Sequence, residues 1–500
     1  MRSSRNSRFR AIVLIAVHLL IGIHVVQWLM SGTTVSPVEP SEAGYLLDAG
    51  KLNTGFILFV VLILGTLVFG RWFCGWACHV VALQDLSAWL LGKFGMRPRP
   101  VRSRLLVLLP FAVAFHMFFQ GQVERFFYGV ANKPIETAFL TTDLWERFPG
   151  PIMGFLTFLV VGFLIVWWLG GKGFCTYGCP YGAVFSVADR FAPGRIRVTD
   201  ACDSCGHCTS VCTSNVRVHE EVAIHKQIVD PACMKCMDCV SVCPKEALYF
   251  GFTTPKPFAI SQQKIKSRAD FTWPEEIALA VVACASTVAF RGAWFFEHVP
   301  FLMAVGLGVI TAVFALLGWR ILVQRDVSFQ HTRMKQEGVR LSAGTWSLVF
   351  VLAWLLLVID TGVVRYHSAA ANVMALSIAS FKEPAKRKAD LQAMDARLLR
   401  AQSWSLFVDP EIHRKRGLAL RDLAMLDSDK NLMLEAEAQL SAALLHRPSD
   451  PSVLVPLADV LHVLLRDDEA FLLLQRAKVA APNNEEVLQR LQSFQSGGRK

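Results

Sequence analysis

Cys202-Asp203-Ser204-Cys205-Gly206-His207-Cys208-Thr209-Ser210-Val211-Cys212 and Cys233-Met234-Lys235-Cys236-Met237-Asp238-Cys239-Val240-Ser241-Val242-Cys243-Pro244 are the two stretches that decide how this chain reads. Each is spaced C-x2-C-x2-C-x3-C. Three thiolates two residues apart wrap one 4Fe–4S cube through a tight loop, and a fourth, three residues on, is carried to a second cube. The expected ligand sets are therefore crossed: Cys202, Cys205 and Cys208 with Cys243, and Cys233, Cys236 and Cys239 with Cys212. Pro244 follows the second run as this pattern has it, whereas Thr213 stands after the first. Zinc takes four ligands per ion from paired C-x2-C units, and a disulfide framework belongs to small secreted chains, so neither suits two runs of this form.

Outside these runs the chain is oily. Of 500 residues, 53% are hydrophobic and 18% charged, and the mean hydropathy is +0.40, which places the chain in a membrane. Seven apolar stretches approach the ~20 residues that cross a hydrocarbon core: near 11–30, 53–72, 104–120, 151–170, 277–296, 299–319 and 343–364. The third contains Pro110 and is the shortest. No small-residue cleavage site follows Met30, so the first stretch is expected to stay as an anchor.

The net charge of +11 does not point to nucleic acid, because the basic residues lie in alternate loops. Segments 1–10, 71–104, 171–276 and 320–342 carry 27 Lys and Arg against 5 in 31–52, 121–150 and 291–300. By the positive-inside rule the N-terminus and the cysteine-rich insert face the cytoplasm, whose reducing conditions also suit thiolate ligands. An odd number of spans then places the C-terminal residues in the periplasm.

A second cysteine pattern precedes the runs. Trp72-Phe73-Cys74-Gly75-Trp76-Ala77-Cys78-His79 and Gly173-Phe174-Cys175-Thr176-Tyr177-Gly178-Cys179-Pro180 each follow a span that returns to the cytoplasm. Were the backbone helical there, cysteines at i and i+4 would share a face, so the four thiols could meet in the folded bundle. Three uses remain open: a further metal centre, a redox-active dithiol relay, or packing as small hydrophobes. His79 could add a nitrogen ligand. Each phrase leads into an expected amphipathic helix, Val80–Phe94 and Tyr181–Phe191. Lys235, Lys245 and Arg217 read as solvated surface, as counter-charge to the clusters or as a docking point for an acidic partner.

Ionisable residues inside spans are costly and tend to face a cavity or partner. His24 lies about 21 Å from Arg10 along its helix and His116 about 18 Å from Arg104, at 1.5 Å per residue. At matching depth they form a candidate pair for a quinone head group, a haem or a copper ion. Histidines bonded to a neighbouring carbonyl are the plainer alternative.

Beyond the last span, residues 366–500 turn polar and helix-forming. Glu435, Leu440, Ala443 and Pro448 recur 34 residues on as Glu469, Leu474, Ala477 and Pro482, the offset of a tetratricopeptide (TPR) unit.

With these residues in hand, the chain resembles the membrane polyferredoxins of the NapH, NosR and CcoG type over roughly residues 10–365. The likeness rests on Cys74-Gly75-Trp76-Ala77-Cys78, Cys175-Thr176-Tyr177-Gly178-Cys179-Pro180 and both cysteine runs, in family order. Such proteins pass electrons between membrane quinol, cytoplasmic redox partners and periplasmic metalloenzyme systems, and the CcoG branch is associated with copper reduction. His79 departs from the family proline, no large flavin-binding domain precedes the first span, and the tail reads as helical where the CcoG type ends in a β-sandwich.

The expected fold is mainly α: a polytopic transmembrane helical bundle with an inserted α+β two-cluster ferredoxin domain and a helical TPR-like tail. Its parts are a four-span membrane region (1–196), the ferredoxin domain (197–255), a three-span membrane region (270–365) and the tail (366–500). The expected function is membrane-bound electron transfer through two 4Fe–4S clusters, between a quinone-type carrier in a bacterial inner membrane and redox proteins, with a periplasmic protein recruited by the tail. An electron-transfer component is favoured over a stand-alone enzyme. The alternatives are a cupric or quinone reductase, or a redox-sensing assembly factor.

Overall fold

The computed structural model describes residues 5–96, 98, 101–128, 134–145, 148–214, 216–259, 270–293, 299–378, 384–482 and 484–497. The protein is mainly helical with few strands. It divides into two units, residues 1–287 with 300–351, and residues 288–299 with 352–500.

Five helices are long and apolar enough to cross a membrane: Arg5–Ser31, Pro151–Leu169, Trp273–Phe290, Phe301–Val323 and Ser342–Ala375. The stretch expected at 104–120 is two helices, Leu106–Phe118 and Gln120–Phe127, meeting at a 49° bend, and the pair makes a sixth span if it crosses as one. The stretch expected at 53–72 is the shorter apolar helix Thr54–Phe69, which ends at Gly70 in a left-handed conformation. Expected span 277–296 starts earlier, at Trp273, and its residues 294–296 lie outside the described residues. On Arg5–Ser31 the side chains of Ile12, Ile15, Leu19, Leu20 and Ile23 are all exposed, as apolar residues facing lipid would be.

Phe301–Val323 is the most enclosed of these helices. It carries Gly306, Gly308 and Gly318, and a side chain at Gly308 would run into Thr287 and the Ala283 carbonyl. Small residues let backbones approach closely where apolar burial cannot drive association. Pro151–Leu169 contains a widened π-turn over Leu159–Leu164, at Gly162, whose missing side chain leaves room for Leu83. Nearer one end of the bundle, the buried carboxylate of Glu276 accepts from the backbone N–H groups of Arg104 at 2.9 Å and Leu105 at 3.2 Å, satisfying donors at the start of the Leu106 helix.

The insert begins with strand Gly194–Val198, paired antiparallel to Leu248–Phe252 from Gly194 opposite Phe252 to Val198 opposite Leu248. Between them lie the helices His207–Ser210, Val218–His225 and Asp238–Ser241. The two cysteine runs adopt the same local path. Ser204 (φ 57°) and Gly206 (φ 78°) flank Cys205, and Lys235 (φ 52°) and Met237 (φ 63°) flank Cys236, all in the left-handed region. Three of these four carry a Cβ and are strained there, a cost borne where surrounding structure enforces it. Ile196, Val216, Val218, Val222, Ile228 and Leu248 form the insert's core with Cys208, Cys233 and Cys239.

A buried carboxylate helps tie the insert to the membrane region. Asp189, fully buried on the helix Pro180–Phe191, accepts from Arg195 Nη1 at 2.9 Å, Lys235 Nζ at 2.8 Å and the Arg71 backbone N–H at 3.0 Å. Lys235 is thus not solvated surface: its ammonium lies 1% exposed in an ion pair, because the loop carrying it is pressed against the first C-x3-C phrase.

The second unit is a run of helices: Pro384–Trp404, Pro410–Asp427, Lys430–His446, Pro451–Val463, Asp467–Ala480 and Glu485–Gly497. Three begin alike. Asp409, Asp429 and Asp450 accept from the N–H groups of Glu411, Asn431 and Ser452, two residues on, a strong N-cap arrangement. The residues related by 34 positions, Leu440 with Leu474 and Ala443 with Ala477, are fully buried, and Leu440, Leu474 and Ala477 share one core.

Replacing Asp189 by Ala should cost about 3–5 kcal/mol, since it leaves two buried cations unpaired. Thermal unfolding in detergent should show this loss, and Asp189→Asn should recover part of it.

Candidate metal centres

The insert folds so that its cysteines gather by crossed sets. Cys202, Cys205, Cys208 and Cys243 line one small cavity, together with His207, His219 and Lys245. Cys212, Cys233, Cys236 and Cys239 line another, with Lys235 and Asp238. Sequence order alone would have put Cys212 with the first set. Among the described residues, no three His, Cys, Asp or Glu side chains converge on a point that one ion could occupy. Four thiols around a space, rather than on a point, fit a polynuclear cube, in which each sulfur binds a different iron.

The two cavities differ in their surroundings. At the first, Cys205 is exposed, His207 Nδ1 lies 3.3 Å from its sulfur, and Ala247 N–H donates to Cys243 Sγ at 3.3 Å. At the second, Arg10 from the first membrane helix hydrogen-bonds Cys236 and pairs with Asp85 at 3.0 Å and Asp238 at 3.3 Å. Burial pushes the Cys212 and Cys239 thiols well up and Cys236 up to about 12. Metal must displace those protons, so binding at this cavity releases them. Hydrogen bonds to sulfur and exposure set cluster potentials, and both differ here between the two sets.

The C-x3-C phrases are not continuous helices. Cys74 lies in the short helix Trp72–Trp76 and Cys78 caps the next, His79–Lys93; Cys175 lies in Gly173–Tyr177 and Cys179 caps Pro180–Phe191. The expected shared helical face is therefore replaced by a break between the two cysteines, the same in both copies. Cys74, Cys78 and Cys175 pack in one core, which also holds Met234 from the second cysteine run. Burial pushes the thiol of Cys175 up to about 11 and that of Cys179 up to about 12. His79 points elsewhere, with Nε2 3.8 Å from Glu39 Oε1.

His24 and His116 engage different neighbours. His24 Nε2 lies 3.1 Å from the Val35 carbonyl, and His116 Nδ1 lies 2.6 Å from Gln120 Oε1, with its ring against Phe301. Arg10, Arg71, Gln84 and Asp189 escaped the sequence reading. Arg71 directly precedes the first phrase, and Gln84 and Asp189 are polar residues on the covered faces of amphipathic helices. That placement is the one signal that could have found them.

Known families agree with this organisation. A 4Fe-4S binding domain family matches residues 54–97 and 152–199, the two C-x3-C repeats, and a 4Fe-4S dicluster domain family matches residues 195–244. The chain is 26% identical to the putative electron transport protein YccM of Escherichia coli, over 50% of this chain and 77% of that protein. It is 28% identical to the ferredoxin-type protein NapH of Haemophilus influenzae, over 35% of this chain and 57% of NapH. The chain is similar to ferredoxin-type electron transport proteins of the NapH kind. A methylamine utilization ferredoxin-type protein, MauN of Methylobacillus flagellatus, is likewise 28% identical to it over 32% of this chain and 58% of MauN. The chain thus spans little more than half of NapH and MauN. No solved structure matches it.

In the iron-free protein, iodoacetamide at pH 8 should alkylate the exposed Cys205 well before the buried Cys175 and Cys179. The latter two stay protonated below about 11 and 12, and only the thiolate reacts. Mass spectrometry of timed digests reads the order.

Proposed function

We propose that this protein passes electrons between a carrier in a bacterial inner membrane and redox protein partners through two 4Fe–4S clusters. One is ligated by Cys202, Cys205, Cys208 and Cys243, the other by Cys233, Cys236, Cys239 and Cys212. The observation that carries the reading is the lining of the two cavities by the crossed cysteine sets. Such clusters supply one-electron chemistry; the chain's own residues hold them close together and keep one of them dry.

Around the second set, Arg10, Lys235 and Asp238 are nearly inaccessible, and a buried cation beside thiolate ligands favours the electron-rich state of the site. Around the first set, Cys205, His207 and Lys245 reach solvent. The exposed set is thus the natural exchange point with a soluble redox protein, and the enclosed set faces the membrane region. A lipid-soluble quinone is the carrier class that suits a relay seated on membrane helices. The basic loops put the insert on the cytoplasmic side. Seven spans result if Thr54–Phe69 and the bent pair each cross, which carries the helical tail to the periplasm, where stacked helix pairs of TPR type offer a surface to a protein partner.

Paired substitutions test the ligation. Purified anaerobically, Cys212→Ser/Cys239→Ser should lose one cluster, about four irons, and Cys208→Ser/Cys212→Ser both, about eight. If Cys208→Ser/Cys212→Ser loses one cluster and Cys212→Ser/Cys239→Ser loses both, the crossed assignment is wrong.

A further inference from the structure

The helix Ser342–Ile378 has 37 residues and is about 55 Å long at 1.5 Å per residue, whereas a hydrocarbon core is ~30 Å thick. Nearly half of it stands outside the lipid. Leu352, Leu356 and Ile359 make an exposed apolar row on one helix face, and the first charged residues along the span are Asp360 and Arg365. Asp360 lies about 27 Å from Ser342 along the axis, so the far edge of the core falls between Asp360 and Arg365.

The helix Pro384–Trp404 runs back along the protruding half. Arg397 Nη1 lies 3.5 Å from His367 Nδ1, and the Arg397 guanidinium sits over the Tyr366 ring at 5.6 Å. Leu398 and Ala401 share a core with Val364 and Ala371. The return helix covers about 30 Å, and the stretch from Ile378 back to Asp360 is about 27 Å, so its end comes down to the level of Asp360. A hydrogen bond marks the arrival: the Asp360 carboxylate accepts from the Leu406 backbone N–H.

What arrives there is apolar. Trp404-Ser405-Leu406-Phe407-Val408 carries four large hydrophobic side chains, and all four are exposed, Leu406 at 67% and Trp404 at 52%. Asp409 closes the run by capping the next helix. A turn between two helices of a polar domain is ordinarily polar. Here the polar groups come earlier instead: Arg397 stands beside Tyr366 and His367, and the exposed Arg400 precedes Trp404 by one turn. Arginines outermost, then a tryptophan, then an apolar tip at the edge of the hydrocarbon is the layering of a segment seated in a membrane interface.

We infer that residues 404–408 are an interfacial anchor that dips into the lipid leaflet on the tail's side of the membrane. Trp404, Leu406, Phe407 and Val408 enter the boundary between head groups and acyl chains, and Arg397 and Arg400 lie at the level of the lipid phosphates. The Leu406 to Asp360 bond holds the loop at that depth, and the first helices of the tail are thereby seated on the bilayer. The anchor rests on the membrane setting of the proposed function, not on the ligation of the clusters.

The test is photo-cross-linking of the full chain in nanodiscs of phosphatidylethanolamine and phosphatidylglycerol, with p-benzoylphenylalanine in place of Leu406 and mass spectrometry of the digested adducts. A phospholipid adduct at position 406, with none when the same residue replaces Val479, an exposed apolar residue elsewhere in the tail, supports the anchor. A cross-link to protein in place of lipid at 406, or an equal lipid yield at 479, overturns it. Replacement of Ile359 on the span separates the anchor from its setting. Lipid captured at 359 but not at 406 overturns the anchor alone; lipid captured at neither overturns the membrane setting as well.

Discussion

The buried carboxylate of Asp189 is the constraint on which the seating of the insert depends. Its two oxygens hold the backbone of Arg71 at the mouth of the first C-x3-C phrase, the guanidinium of Arg195 at the entry to the insert, and the ammonium of Lys235 between two cysteines of the second run. Arg195 and Lys235 share this carboxylate, and the buried Asp230 carboxyl lies near both Asp189 and Lys235. Such a network is weak evidence of stability in itself, since desolvation offsets much of the attraction. Its value lies in register: only one docking of the insert satisfies all three donors.

The spacing of the two cysteine runs and most of the long apolar helices could be read from the sequence because their signals are local. Ligand spacing is written in the chain, and a hydrocarbon core demands about 20 apolar residues in a row. Azimuth and contact are different. Depth along a helix placed His24 and His116 at one level, but says nothing about where each ring faces, and each found its own neighbour. The C-x3-C spacing fits a helical turn equally well as it fits a helix followed by a cap, so the break at Ala77 and Gly178 could not be read. Lys235 looked like surface because charge in a small insert is usually solvated; its burial follows from the membrane region pressed against it.

The duplication of the C-x3-C phrase gives the membrane region a plan. Each copy is an apolar helix, a glycine, a short helix with the first cysteine, and an amphipathic helix capped by the second. Side chains cross between copies, as Gln84 does to Cys175 and as Lys172 does to Asp85, which in turn meets Arg10 of the first helix. The insert follows the second copy and folds back on the first, so that Met234 joins Cys74 and Cys175 in one core. In the tail, the residues recurring at 34 positions, Leu440, Leu474, Ala443 and Ala477, are buried.

The location of iron relative to the cysteines tests this account most directly, and anomalous diffraction at the iron absorption edge from anaerobically grown crystals measures it. The account predicts one iron cluster enclosed by Cys202, Cys205, Cys208 and Cys243, and another enclosed by Cys212, Cys233, Cys236 and Cys239 on the side of Lys235 that faces Cys74. Iron enclosed by Cys202, Cys205, Cys208 and Cys212 together, or an insert seated away from the C-x3-C phrases, would contradict it.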